Sequence, residues 1–108
     1  MHSNFPDKHI LDELMKRIRS VVEPKQVILF GSAARGEMGV NSDLDLLVVV
    51  ASGLHRRQTA QKIYRNLIGL GFAADIVVVT ENDVILYKDH QGMVIKPALE
   101  EGKVLYAA

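Results

Sequence analysis

Two aspartates at the start of an apolar run are the residues of this 108-residue chain whose type and spacing point most directly to chemistry. Asp43 and Asp45 are two positions apart, so in a strand their carboxylates point to one face while Leu44 and Leu46 point to the other. Two like charges this close repel each other, and burial would raise the cost. A divalent cation between them removes that cost, and Mg²⁺ prefers one or two carboxylates together with phosphate oxygens. The pair therefore predicts a magnesium site.

A third acid, Asp75, lies in the apolar run of residues 72–79, where packing alone would disfavour a carboxylate. If the strands that carry Asp45 and Asp75 are parallel neighbours, their N-terminal ends lie together and the three carboxylates meet. Such a cluster can hold two Mg²⁺ ions, the arrangement used for in-line phosphoryl transfer. Each acid taken alone also has a structural interpretation. Asp43 could cap a turn, Asp45 could pair with Arg35, and the third acid could simply end a loop.

A glycine–serine turn follows the first apolar run, residues 27–30. Gly31 would let the backbone approach a ligand closely, and Ser32 offers both a hydroxyl and an N–H group. Residues 33–35 suit one helical turn, whose first amides bind anions well. The turn is not a P-loop, because no Gly-Lys-Ser/Thr follows it. Its pairing with the Asp-x-Asp sequence shortly afterwards predicts a phosphate-binding turn beside the metal site.

Apolar periodicity predicts the elements that position these residues. Helices are expected over about residues 7–22, 60–70 and 94–99, and strands over residues 27–30, 44–50, 74–79 and 104–106. Thr80, with Asp83 three residues later, has the spacing of a capping box and predicts a further helix. The connection from Gly31 to Ser42 is too short for a full crossover, so the first two strands should be antiparallel, whereas the helix-containing connection that follows predicts parallel pairing. The expected fold is α/β: a single domain over residues 1–108 with a small mixed β-sheet covered by helices.

The combined motif resembles the DNA polymerase β-type nucleotidyltransferase superfamily. The residues that carry the resemblance are Gly31-Ser32-Ala33-Ala34-Arg35-Gly36, then Ser42-Asp43-Leu44-Asp45-Leu46, then Asp75 on a later strand. Within that superfamily, the sequence is most similar to the small single-domain members called minimal nucleotidyltransferases, or MNT proteins. The resemblance implies the polymerase β-type nucleotidyltransferase fold and transfer of a nucleoside monophosphate, expected to be AMP from ATP, to an acceptor hydroxyl.

The resemblance also implies roles for individual residues. Gly31 and Ser32 would contact the β- and γ-phosphates, and Asp43 and Asp45 would bind both Mg²⁺ ions. Asp75 would bind the ion nearer the acceptor and help to orient or deprotonate its hydroxyl. Arg35 would either neutralise phosphate charge or pair with an acid as scaffold, and the scaffold role is favoured.

A partner is expected because larger transferases of this superfamily carry a second domain that this chain lacks. Minimal nucleotidyltransferases pair with small helical HEPN proteins as toxin and antitoxin, in some cases by adenylylating a tyrosine of the HEPN protein. The resemblance therefore implies a HEPN-type partner, and a homodimer is the other expectation. Two functions remain open: an adenylyltransferase that modifies its partner, or a non-catalytic module that neutralises the HEPN partner stoichiometrically.

Composition narrows the class of protein. The formal net charge is zero, so a protein held to nucleic acid by its overall field is not expected. The basic residues of the segment 55–65 are interpreted as the solvated face of a helix. The chain contains no cysteine, has no apolar run of about 20 residues that could cross a bilayer, and begins with a polar segment, Met1 to Lys8. These features predict a cytoplasmic protein without a membrane partner.

Overall fold

The computed structural model describes residues 7–36 and 44–108. The elements in chain order are α1 (Lys8–Arg19), β1 (Gln26–Phe30), α2 (Gly31–Ala34), β2 (Leu44–Val50), α3 (Arg56–Asn66), β3 (Ala74–Thr80), α4 (Glu81–Tyr87), α5 (Ile95–Glu101) and β4 (Lys103–Ala107). The order of helices and strands agrees with the prediction from apolar periodicity.

The four strands form one mixed sheet in the order β3-β2-β1-β4. Strands β1 and β2 are antiparallel and β2 and β3 are parallel, which confirms both pairings that the connection lengths predicted. The C-terminal strand β4 pairs antiparallel with β1 and supplies one edge of the sheet, so β3 supplies the other. Strand β2 therefore lies inside the sheet, which explains why its seven residues read as an almost continuous apolar run.

Alternation along the strands divides the core into two layers. The first layer packs alternate residues of β2, beginning with Leu44 and Leu46, against Leu14 and Ile18 of α1 and Ile63 of α3. The second layer packs the remaining apolar residues of the strands against α5. Helices thus cover both faces of the sheet, as expected for an α/β domain. The acidic positions of β2 and β3 lie on the face of the second layer, at the N-terminal end of both strands.

Helix boundaries depend on caps that the apolar pattern only partly reveals. Thr80 and Asp83 form the predicted capping box at the start of α4, with both reciprocal hydrogen bonds present. Helix α3 begins at Arg56, four residues before the apolar periodicity starts, because His55 caps it by accepting a hydrogen bond from the Gln58 amide at 3.2 Å. Helix α1 ends at Arg19, earlier than predicted. None of the described helices is long and apolar enough to cross a membrane.

A polar cluster connects β4 to the end of α1. Tyr106 donates a hydrogen bond to Glu23, and the Arg19 guanidinium lies over the tyrosine ring, 4.6 Å from its centroid. The hydrogen bond from Tyr106 is the main reason that the pKa of Glu23 is lowered, and the same bond raises the pKa of the tyrosine. These contacts hold the C-terminal strand in place at the edge opposite β3.

Candidate active site

Two of the predicted acids meet at the N-terminal end of the parallel pair. Asp45 and Asp75 are direct partners in the register of β2 and β3, so both side chains project from the same face of adjacent strands. The Leu44 amide, which donates to the Ala73 carbonyl at 3.0 Å, fixes this register where the strands begin. Asp45 is half-buried and Asp75 is exposed. The structure thus places Asp45 and Asp75 side by side at the start of β2 and β3, and their joint metal ligation stays a prediction.

The third predicted acid, Asp43, lies outside the described residues, as does Ser42. Leu44, the residue between the two aspartates of the Asp-x-Asp sequence, is fully buried as the first residue of β2. Its burial agrees with the predicted alternation of core leucines and acids along this strand. The placement of Asp43 beside the other two carboxylates stays a prediction from that alternation.

The glycine of the predicted phosphate turn contacts one of the acids. Phe30 at the end of β1 pairs with Asp45, so the residue that follows Phe30 lies against the Asp45 side chain. Gly31 has a φ angle of +70°, and a Cβ built on it would lie 2.4 Å from Oδ2 and 3.2 Å from Cγ of Asp45. A side chain at this position would therefore collide with the carboxylate. In the sequence, close approach of a ligand explains Gly31, and the structure adds that a side chain there would displace the Asp45 carboxylate.

The turn continues as the short helix α2, which carries Ser32. Ser32 is half-buried, and the two alanines that follow it are buried in the core. The Arg35 amide closes the turn by donating to the carbonyls of Gly31 and Ser32, at 3.3 and 3.2 Å. Helix α2 therefore holds Ser32 one residue beyond the glycine that touches Asp45.

Arg35 connects this turn to the C-terminal helix. One guanidinium nitrogen lies 3.9 Å from a carboxylate oxygen of Glu101 on α5, and both side chains are about half exposed. An exposed pair at this distance stabilises the fold by at most about 1 kcal/mol. The contact favours the scaffold role for Arg35. Sequence reasoning did not identify Glu101, because the partner lies 66 residues away along the chain and no local pattern marks it.

The donor chemistry of the site suits a hard divalent cation. Within residues 7–36 and 44–108, no group of three or more acidic, histidine or cysteine side chains is placed to hold a metal ion by itself. Asp45 and Asp75 provide two carboxylates, which is the number that Mg²⁺ commonly takes from a protein when phosphate oxygens complete its octahedron. The two residues therefore fit a metal that arrives with a nucleotide triphosphate, and Asp43 would add a third carboxylate.

A different acid, Asp83, has a lowered pKa for a structural reason. The Thr80 amide donates to its carboxylate at 2.9 Å, and this hydrogen bond is the largest cause of a lowered pKa. The Thr80 hydroxyl and the nearby Arg56 guanidinium, 3.2 Å away, act in the same direction, while burial opposes them. Asp83 thus completes the capping box of α4, whose N-cap is Thr80 at the C-terminal end of β3, away from the paired acids.

The sequence and the fold both have recognisable relatives. Residues 11–105 match the family model of the nucleotidyltransferase domain. No curated protein matches the sequence significantly. Among solved structures, a protein from Sulfolobus solfataricus described as a nucleotidyltransferase has a TM-score of 0.63 at 20% identity, with 92% of this chain and 78% of that chain covered.

Two further similar structures are toxin–antitoxin complexes. A mutant of the MntA–HpeT toxin–antitoxin has a TM-score of 0.63 at 22% identity, covering 91% of this chain and 73% of that chain. A tri-AMPylated HEPN toxin from Shewanella oneidensis in complex with its MNT antitoxin has a TM-score of 0.54 at 20% identity, covering 94% and 72%. At these identities the likeness is one of fold. Because the family model spans most of the chain and the fold agrees with it, the chain belongs to the nucleotidyltransferase domain family.

Proposed function

We propose that this protein transfers AMP from ATP to a hydroxyl group of a protein partner. The observation that carries the proposal is the in-register pairing of Asp45 with Asp75, with Gly31 in contact with the Asp45 carboxylate. This arrangement joins a glycine–serine turn suited to phosphates to two carboxylates suited to a hard cation. Like charges directly opposite each other on neighbouring strands destabilise a sheet, and a cation bound by Asp45 and Asp75 would offset that cost.

The residues divide into a nucleotide side and an acceptor side. Gly31 and Ser32 would contact the β- and γ-phosphates, and Asp43 and Asp45 would hold the nucleotide through two Mg²⁺ ions. When bound, the metal supplies charge neutralisation on the phosphates and polarises the α-phosphate. Asp75, the exposed member of the pair, would orient the acceptor hydroxyl and take its proton as the oxygen bonds to the α-phosphorus. The bond to the bridging oxygen then breaks and pyrophosphate leaves.

The similar structures support the choice of nucleotide and partner. One similar toxin–antitoxin structure contains AMP-PNP, and another contains a tri-AMPylated HEPN toxin. The MntA–HpeT structure carries two Asp-to-Glu substitutions two positions apart, which is the spacing of Asp43 and Asp45 here. We therefore infer that the acceptor is a hydroxyl of a HEPN-type helical protein, with a tyrosine as the expected side chain.

A stoichiometric binding module is the second candidate function, and an exposed apolar surface on α4 favours a protein contact of this kind. Ile85 is 69% exposed and Leu86 is 62% exposed on consecutive positions of that helix. Large exposed apolar side chains that adjoin each other mark protein interaction surfaces more often than scattered ones do. Both candidates require this partner contact, but only the transferase requires Asp75.

The test compares Asp75→Asn with wild type and with Asp89→Asn. Asp89 is an exposed acid beyond α4 and serves as the matched control for the charge change. Purified protein with Mg²⁺ and labelled ATP should transfer label to a HEPN protein supplied as the candidate partner. Loss of the acceptor-side carboxylate should lower the rate about 10²- to 10⁴-fold while ATP binding survives. If Asp75→Asn silences the partner as fully as wild type does, the protein is a binding module and catalysis is not its function.

A further inference from the structure

The outer edge of β3 presents backbone groups to solvent. Strand β3 pairs with β2 on one side only, because it is the last strand of the sheet. The Leu44 amide donates to the Ala73 carbonyl, so the odd-numbered residues that follow in β3 direct their polar backbone groups toward β2. The even-numbered residues of β3 therefore direct their N–H and C=O groups to the outer edge.

Side chains of the same chain satisfy two of these outward amides and leave open the one that lies between them. The Ile76 amide donates to the Tyr64 hydroxyl at 2.8 Å, and the Thr80 amide donates to Asp83 at 2.9 Å. Val78 lies between them, and no hydrogen-bond acceptor within the described part of the chain takes its N–H. An edge strand with an unpaired amide is a template on which another strand can form.

A groove runs along this edge, between β3 and the start of α3. It has a volume of about 700 Å³ and is lined by residues 54–57 and 76–78 and by Ala60. Its apolar part includes Leu54, which is 43% exposed. Its cationic part includes Arg56, which pairs with Asp83, and Arg57, which makes no ion pair with any described residue. The groove thus combines an apolar surface, an available cation and an open backbone position.

Basic residues predominate in the segment that forms one side of this groove. Residues 51–74 contain four arginines and lysines and no aspartate or glutamate, although the whole chain has a formal net charge of zero. A surface of one sign attracts a partner of the other sign. A nucleic acid would match the charge, but its phosphate backbone cannot pair with a strand or fill an apolar groove. An extended acidic peptide matches all three features, since main-chain pairing gives affinity and alternate side chains reach the groove.

We propose that the β3 edge binds an extended acidic segment of a partner protein, which adds to the sheet as a fifth strand. The Val78 N–H and C=O groups pair with the incoming backbone, and carboxylates of the segment face Arg57. The Tyr64 hydroxyl releases the Ile76 amide as the strand forms, so Tyr64 competes with the segment. This docking site uses the edge of β3 beyond Asp75, and binding there does not depend on nucleotide transfer.

The experiment follows single amides of the full chain by NMR hydrogen exchange. The probe is a peptide of about seven residues that alternates glutamate and valine, the length of β3, and its counterpart replaces glutamate with lysine. Saturating acidic probe should slow exchange of the Val78 amide at least about tenfold, because its N–H becomes hydrogen-bonded. The Val77 amide, which faces β2, is the internal control and should not change. The lysine counterpart should give no protection.

Two variants should shift the affinity of the acidic probe in opposite directions. Tyr64→Phe removes the hydroxyl that occupies the Ile76 amide, so the probe should bind about 2- to 10-fold more tightly, the equivalent of one net hydrogen bond. Arg57→Glu should weaken the acidic probe and strengthen its lysine counterpart. Arg65→Glu makes the same charge change on α3 outside the groove and should have a smaller effect.

Several results would overturn the proposal. One is that exchange of the Val78 amide stays unchanged with the acidic probe at about 1 mM, a concentration that populates even weak specific complexes. The lysine counterpart could bind equally well, which would remove the role of charge. Val78 protection that rises with protein concentration alone would assign the edge to a second copy of this chain. Arg57-dependent binding of poly(U) RNA without Val78 protection would assign the groove to nucleic acid.

Discussion

Because Gly31 contacts Asp45, one substitution at Gly31 should affect the stability of the fold and the affinity for ligand to different degrees. Gly31→Ala places a Cβ where the Asp45 carboxylate now lies, 2.4 Å from Oδ2, and does so at a φ angle of +70°. The left-handed backbone costs an alanine about 1–2 kcal/mol. The collision itself is relieved by rotating the short Asp45 side chain, so its main consequence is a displaced carboxylate. We expect a moderate loss of stability and a larger loss of ligand affinity.

Gly69→Ala is the matched control. Gly69 has a φ angle of +87°, and a Cβ there would meet nothing within 4 Å. Both variants lose stability because an alanine must adopt the left-handed backbone, and this loss corresponds to a fall in Tm of roughly 4–16 °C for a domain of this size. Only Gly31→Ala should lose Mg²⁺-dependent ATP affinity, by about 10- to 100-fold, the range seen when the support of a metal ligand is removed. Thermal unfolding in EDTA and calorimetric titration with MgATP measure the two effects independently.

One result would refute this reasoning. If Gly31→Ala and Gly69→Ala bound MgATP with the wild-type affinity, the Asp45 carboxylate could move without consequence, and it would not be a ligand of the nucleotide–metal complex. If Gly31→Ala alone failed to fold, the collision would exceed what side-chain rotation can relieve. In that case Gly31→Ser, which adds the same Cβ, should fail in the same way.

Three further predictions concern charge. Calorimetry should show ATP binding that requires Mg²⁺, and equal affinity in excess EDTA would contradict a metal-held triphosphate. Asp75→Asn should raise the unfolding free energy of the metal-free protein by about 0.2–1 kcal/mol, because it removes the like charge opposite Asp45; a fall in Tm would indicate a structural role instead. The pKa of Asp83 is lowered in the folded protein, mainly by the Thr80 amide, so its contribution is present above the unfolded pKa of about 3.9 and is lost as the pH falls through the lower folded value. Urea unfolding from pH 7 to pH 3 should show this loss in wild type but not in Asp83→Asn.

The sequence predicted those features that depend on local alternation and on connection length. The buried Leu44 and Leu46 of β2 reveal which face carries Asp45, and the helix between β2 and β3 requires parallel pairing. Together these two facts suffice to bring Asp75 beside Asp45. The start of α3 was predicted too late because its first turn is polar, and a histidine cap gives no apolar signal.

Contacts between residues distant in sequence could not be predicted from local patterns. The closeness of Gly31 to Asp45 follows from the antiparallel register of Phe30, which depends on the geometry of the connecting segment rather than on any pattern within the strands. The Arg35–Glu101 contact depends on how α5 packs against the second layer of the core. Tyr64 reads as an ordinary helix residue in the sequence, and its role at the β3 edge appears only when the strand order is known.

Asp45 lies between Asp75, its register partner on β3, and Gly31, which follows β1. Asp45 and Asp75 repel each other across neighbouring strands, and Gly31 loses more conformational entropy on folding than any residue with a side chain would. A sequence adapted for stability alone would not place two carboxylates opposite each other at the start of neighbouring strands. A bound cation would offset the repulsion between the two carboxylates, and the absent Cβ leaves room for the Asp45 carboxylate at its present position. The positions of Gly31, Asp45 and Asp75 therefore depend on one another. For this reason we expect that loss of Gly31 and loss of Asp45 have the same effect on nucleotide binding.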